Sequence, residues 1–104
     1  MKVLAIAILL FTINATAQPY QHYFGTLHSH SAYSDGNINQ ATSGVTTPAQ
    51  SYQYAKDSYN FNFLGISDHN HSGAGMHLPD YAKGLYQADT TTKTGEFVAL
   101  YGME

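Results

Sequence analysis

Cysteine is absent from the 104 residues of this chain. That absence excludes disulfides, thiolate zinc sites and a cysteine nucleophile together. Any metal must therefore be held by imidazole and carboxylate groups. Charge is scarce as well. Charged side chains make up 11% of the sequence, about half the share usual in soluble domains. Four Lys or Arg stand against seven Asp or Glu, for a net charge of −3. No basic patch results, so a nucleic-acid backbone is not an expected partner. Internal repeats and long low-complexity segments are also missing. The most apolar run, Val3 to Phe11, is too short to span a bilayer as a helix.

That run has a clear setting. Lys2 provides a short basic start, and Ala15-Thr16-Ala17 places small residues where a signal peptidase cuts. Residues 1–17 read as a secretory signal cleaved after Ala17. The mature chain, residues 18–104, is then expected outside the cytoplasm, either periplasmic or secreted, with no membrane attachment after cleavage. Its oligomeric state is not legible.

Within the mature chain, residues 20–28 read as a strand rich in aromatic and β-branched side chains. Residues 36–47, small and polar, read as a loop. Thr47-Pro48 has the form of a helix N-cap followed by proline in the first turn, and Ala49, Tyr52, Ala55 and Tyr59 follow at helical spacing. A helix is expected over 48–59. The mostly apolar segment 61–67 reads as a strand buried on both faces, followed by a glycine-rich loop. Leu78, Tyr81, Ala82, Leu85 and Ala88 form a helical stripe over 78–89. "FVALYGM" reads as a third strand ending at Glu104. The order β-α-β-α-β predicts an α/β fold with parallel strands joined by crossover helices. Three strands and two short helices supply little core, whereas a closed barrel of such units takes about 250 residues. Residues 18–104 therefore read as the N-terminal portion of a longer domain, poorly folded and inactive if expressed alone.

The sequence holds six histidines. His28 and His30 are two apart, and along a strand such residues face the same side. A lone His-x-His pair is weak evidence for metal. Position adds to it. Asp35 lies just past the first strand, His69 at the end of the second, and Glu104 at the end of the third. Parallel strands bring their C-terminal ends to one face, where ligands and catalytic groups of α/β folds gather. Five candidate ligands, His28, His30, Asp35, His69 and Glu104, are thus expected to converge. Mixed nitrogen and oxygen ligands, with a carboxylate able to bridge, suit a two-metal hydrolytic site.

The stretches "LHSHSAYSDG", "LGISDHN" and "LYGME" resemble, in order, the first three motifs of the PHP (polymerase and histidinol phosphatase) superfamily. The resemblance covers residues 23 to 104. It implies the first β-α-β-α-β part of a distorted (β/α)7, TIM-like barrel, with two or three divalent ions at the strand ends. It further implies that His28 and His30 bind one metal, that Asp35 and His69 complete neighbouring ligand positions, and that Glu104 is a bridging carboxylate. The implied activity is metal-dependent hydrolysis of a small phosphorylated substrate by an activated water, with no catalytic residue beyond the metal ligands. Later family motifs carrying further ligands would fall after Glu104. Zinc, manganese and iron all suit the ligand set.

Other residues invite plainer readings. Asp68 either orients a ligand histidine or caps the loop after its strand. His71 repeats the i, i+2 spacing with His69 but sits in a glycine-rich loop, where spacing fixes no direction; it is a lesser candidate ligand. Ser34 and Gly36 are expected to shape the turn. The competing functional reading is a non-catalytic binding module stabilised by metal on the same barrel.

Overall fold

A computed structural model describes residues 19–36 and 44–104. The expected signal segment, residues 1–17, and residues 37–43 of the expected 36–47 loop lie outside the described residues. The element order is β1 (Gly25–Thr26), α1 (Pro48–Tyr59), β2 (Phe63–Asp68), α2 (Leu78–Thr91) and β3 (Val98–Met103). The three strands form one parallel sheet in the order β1-β2-β3. This is a small α/β unit, as the alternation of patterns predicts.

Helix α1 has the expected bounds because both ends are signalled locally. Thr47 is extended, and its side chain accepts a hydrogen bond from the Gln50 N–H. Asn60 closes the helix in the left-handed region at φ 54°, a conformation asparagine tolerates better than most residues. Pro48, Tyr52 and Ala55 form the buried face. Helix α2 buries Gly84 and Ala88. A Cβ on Gly84 would run into the Tyr101 ring, so the glycine permits close contact between α2 and β3.

Both helices cover one face of the sheet. Tyr52, Ala55, Leu64, Ile66, Ala88, Phe97 and Ala99 form the core there, with Phe61 and Tyr101 at its margin. The Tyr52 and Phe97 rings meet edge to face at 6.2 Å. Truncating Ile66, which is 2% exposed, to alanine would cost about 2–5 kcal/mol. The other face carries Phe63, Val98 and Leu100 beside Leu27 and Tyr23, which together line an apolar groove. Leu27 is 67% exposed and Leu100 47%. Parallel sheets normally have both faces covered.

The first strand is much shorter than the expected 20–28. The chain runs beside β2 beyond Gly25–Thr26, but there single backbone bonds alternate with side-chain bonds in place of the regular ladder. The Phe24 N–H donates to Asn62 Oδ1, and the Ser29 hydroxyl donates to the Gly65 carbonyl. The Ser67 N–H in turn donates to the Ser29 carbonyl at 2.8 Å. The aromatic and β-branched composition predicts a strand over 20–28, and only Gly25–Thr26 of it is strand, because a ladder depends on a partner that sequence alone does not supply. The other bounds move by two residues or fewer, with β2 ending at Asp68 rather than Ser67.

Candidate metal centre

The parallel register places the ligand candidates. Ile66 pairs with Tyr101 and Asp68 with Met103, so β2 and β3 end together. Their alignment persists one step further. The Glu104 N–H donates to the Asp68 carbonyl, and the Asn70 N–H donates to the Glu104 carbonyl. His69 and Glu104 are the first residues past their strands. His28 and His30 lie beyond β1, held beside β2 by Ser29 on the residue between them. Asp35 belongs to a turn closed by the Ser34 and Gly36 N–H groups, both donating to the Ser31 carbonyl.

All five candidates meet at this end of the sheet. The Nε2 atoms of His28 and His30 are 3.2 Å apart. Glu104 Oε1 lies 3.0 Å from His30 Nε2 and 3.1 Å from His69 Nε2. Glu104 Oε2 lies 3.5 Å from His28 Nδ1. On the other side, Asp35 Oδ1 is 2.7 Å from His69 Nδ1 and 3.3 Å from His30 Nδ1. Among the described residues, two groups have ligand atoms mutually within 4.8 Å: His28, His30 and Glu104, and His30, Asp35 and His69. His30 belongs to both.

These separations fit a cation. Nitrogen and oxygen atoms bound at about 2.0–2.2 Å around one ion lie about 3–3.5 Å from each other. Two facing imidazole nitrogens at 3.2 Å need a proton or a cation between them. The electrostatics agree. A hydrogen bond from the His69 ring, with a smaller contribution from His30, holds the exposed Asp35 carboxyl below the usual carboxylate range. His30 and His69 are half-buried, while His28, Asp35 and Glu104 are exposed, so the cup is open on one side.

Further residues shape the cup from around the ligands. The Ser67 hydroxyl faces the ligand side of β2, donating to Glu104 Oε2 at 3.3 Å and lying 3.4 Å from His28 Nδ1. Nothing in the sequence marked it beyond its place two residues before His69. Asp68 points the other way, among the core residues, and is 0% exposed. Its carboxylate accepts from Ser31, Ser34 and Tyr101. Among the described residues no histidine is bonded to Asp68, and its side chain bonds the Ser31–Ser34 turn and Tyr101 rather than the loop after its own strand. The tyrosine was recognisable only once the register of β3 was known. His71 lies outside both groups. It is exposed, its ring centroid is 5.0 Å from that of His69, and its Nδ1 accepts from the Gly73 N–H.

No protein-family model, curated protein or solved structure matches the chain. The fold and the site thus define a small α/β unit with clusters of histidine and carboxylate, suited to a metal ion, at the C-terminal ends of its parallel strands.

Proposed function

We propose that this chain is the N-terminal part of an exported, metal-dependent phosphoesterase of the PHP type, built on a distorted (β/α)7 barrel. The observation that carries the reading is the convergence of His28, His30, Asp35, His69 and Glu104 at one end of a parallel sheet. The uncovered apolar face of Phe63, Val98 and Leu100 supports a barrel, since further strands would enclose it as a core. Export rests on Lys2, the apolar run from Val3 to Phe11 and Ala15-Thr16-Ala17.

In this reading His28, His30 and Glu104 hold one divalent ion, and Asp35 and His69 hold a neighbouring one, with His30 between the two groups. A third ion would draw on ligands beyond Glu104. Zinc, manganese or iron bound here would lower the pKa of a coordinated water and offset charge on the phosphoryl oxygens. The chain's own part is to bind and orient. Glu104 presents both oxygens to histidines, Oε1 to His30 and His69 and Oε2 to His28, which suits a carboxylate that bridges. Ser67 steadies Glu104 from beneath. The open side of the cup admits a small phosphate ester.

The test is phosphate release from p-nitrophenyl phosphate by the full-length protein, of which this reading makes the chain the N-terminal part, supplied with each metal in turn. The wild type should hydrolyse it, and the variant carrying His28→Ala and His30→Ala should not. Unchanged hydrolysis in that variant would refute the proposal.

A further inference from the structure

Asp68 is a fully buried carboxylate whose bonding partners among the described residues are all neutral. Burying a carboxylate is costly unless hydrogen bonds satisfy it. Here four donors do so. Asp68 Oδ1 accepts from the Ser31 N–H at 2.6 Å and the Ser34 hydroxyl at 2.8 Å. Asp68 Oδ2 accepts from the Ser31 hydroxyl and the Tyr101 hydroxyl, both at 2.6 Å. Bonds this short to an anion are charge-assisted and directional.

The identity of the donors matters. Ser31 follows His30 in the chain, and Ser34 precedes Asp35. Asp68 itself precedes His69, and Tyr101 lies on β3 three residues before Glu104. One carboxylate therefore ties together the three segments that carry all five candidate ligands. It does so from the helix-covered side of the sheet, whereas Ser67, the preceding residue, faces the cup.

We propose that Asp68 is a positioning residue that holds the Ser31–Ser34 turn against β2 and β3 before any ion arrives, and so sets the metal affinity of a site it does not touch. The inference rests on the metal-centre reading above. Without the four bonds, His30 and Asp35 would sit on a turn free to lift away from His69 and Glu104. The entropy of ordering that turn would then oppose metal binding. Asparagine substitutes poorly: its amide nitrogen only donates, so the Ser31 and Tyr101 hydroxyls would have to turn and accept, and the charge assistance of all four bonds would be lost.

The experiment is a cobalt(II) titration of the full-length protein against a competing chelator, with the visible d–d spectrum recorded at each point. The variants are Asp68→Asn, Ser34→Ala, Tyr101→Phe and, as a control, Phe97→Leu in the distant core. Asp68→Asn should weaken cobalt binding about 10- to 100-fold and change the d–d band shape. Ser34→Ala and Tyr101→Phe each remove one of the four bonds and should weaken binding about two- to tenfold. These two decide the matter if Asp68→Asn does not fold. Phe97→Leu should lower the melting temperature yet keep wild-type affinity and spectrum. The proposal is overturned if the Asp68 network variants that fold bind cobalt as the wild type does, or if Phe97→Leu loses as much affinity as they do. Failure of the wild type itself to bind cobalt would instead overturn the metal-centre reading.

Discussion

His30 and Glu104 are 74 positions apart in the chain, yet His30 Nε2 lies 3.0 Å from Glu104 Oε1. The contact follows from two local facts. Ser29 pins the segment after β1 to β2, and the parallel register carries β3 to the same end of the sheet. A histidine and a carboxylate so placed, with a second histidine 3.1 Å from the same oxygen, could hold a cation.

Glu104→Gln keeps the shape of this side chain and removes its charge. Outer-layer substitutions around metal ligands already cost 10–100-fold in affinity. Loss of the ligand charge itself should therefore weaken divalent-ion binding by at least about tenfold. Chelator competition measures this, and unaltered affinity would mean that Glu104 takes no part.

Gly36 closes the turn that carries Asp35. A Cβ there would collide with the His30 carbonyl and lie 2.6 Å from the Ser31 carbonyl oxygen. These are backbone atoms of the ligand segment and cannot rotate aside. Gly36→Ala should destabilise the full chain by about 1–3 kcal/mol, as read by denaturant unfolding, and should also weaken metal binding.

The two tyrosines nearest Asp68 predict an alkaline limit to stability. Burial, followed by the hydrogen bond to Asp68, pushes the Tyr101 phenol well above its ordinary value of 10.0. Burial, followed by the nearby Asp68 charge, does the same for Tyr52. The folded chain thus keeps protons that unfolded tyrosine releases. The unfolded state binds fewer protons in that range, so stability falls as pH rises. The contribution is complete below pH 10.0 and is lost progressively above it. Denaturation midpoints measured between about pH 9 and about pH 11 should decline, and Tyr101→Phe should make the decline shallower.

Thr47→Ala removes the side-chain cap of α1, whose hydroxyl accepts from the Gln50 N–H at 3.3 Å. The expected cost is about 0.5–2 kcal/mol in unfolding free energy. Because α1 carries none of the ligands, metal affinity should stay at the wild-type value.

How much of this was legible depends on the range of each interaction. Helix α1 was legible to the residue because Thr47, Pro48 and the spacing of Tyr52 and Ala55 are local signals. Helix α2 runs two residues past its expected end, to Thr91, where no glycine or proline stops it. Strand β1 is shorter than its composition predicts, because around it Phe24 and Ser29 meet Asn62 and β2 through isolated backbone and side-chain bonds that no periodicity reveals. At the site, the five candidate ligands were legible from strand order and strand ends. The supporting residues were not. Ser31 and Tyr101 meet at Asp68 only through the register of β2 and β3, and composition carries no trace of that register.

The most direct measurement is the metal content of the full-length protein purified with zinc, manganese or iron and dialysed against metal-free buffer. The account predicts two or three tightly held divalent ions per wild-type chain, and the loss of at least one in the variant with His28→Ala and His30→Ala. A wild-type chain that retains no ion, or a double variant that retains the full complement, would contradict it.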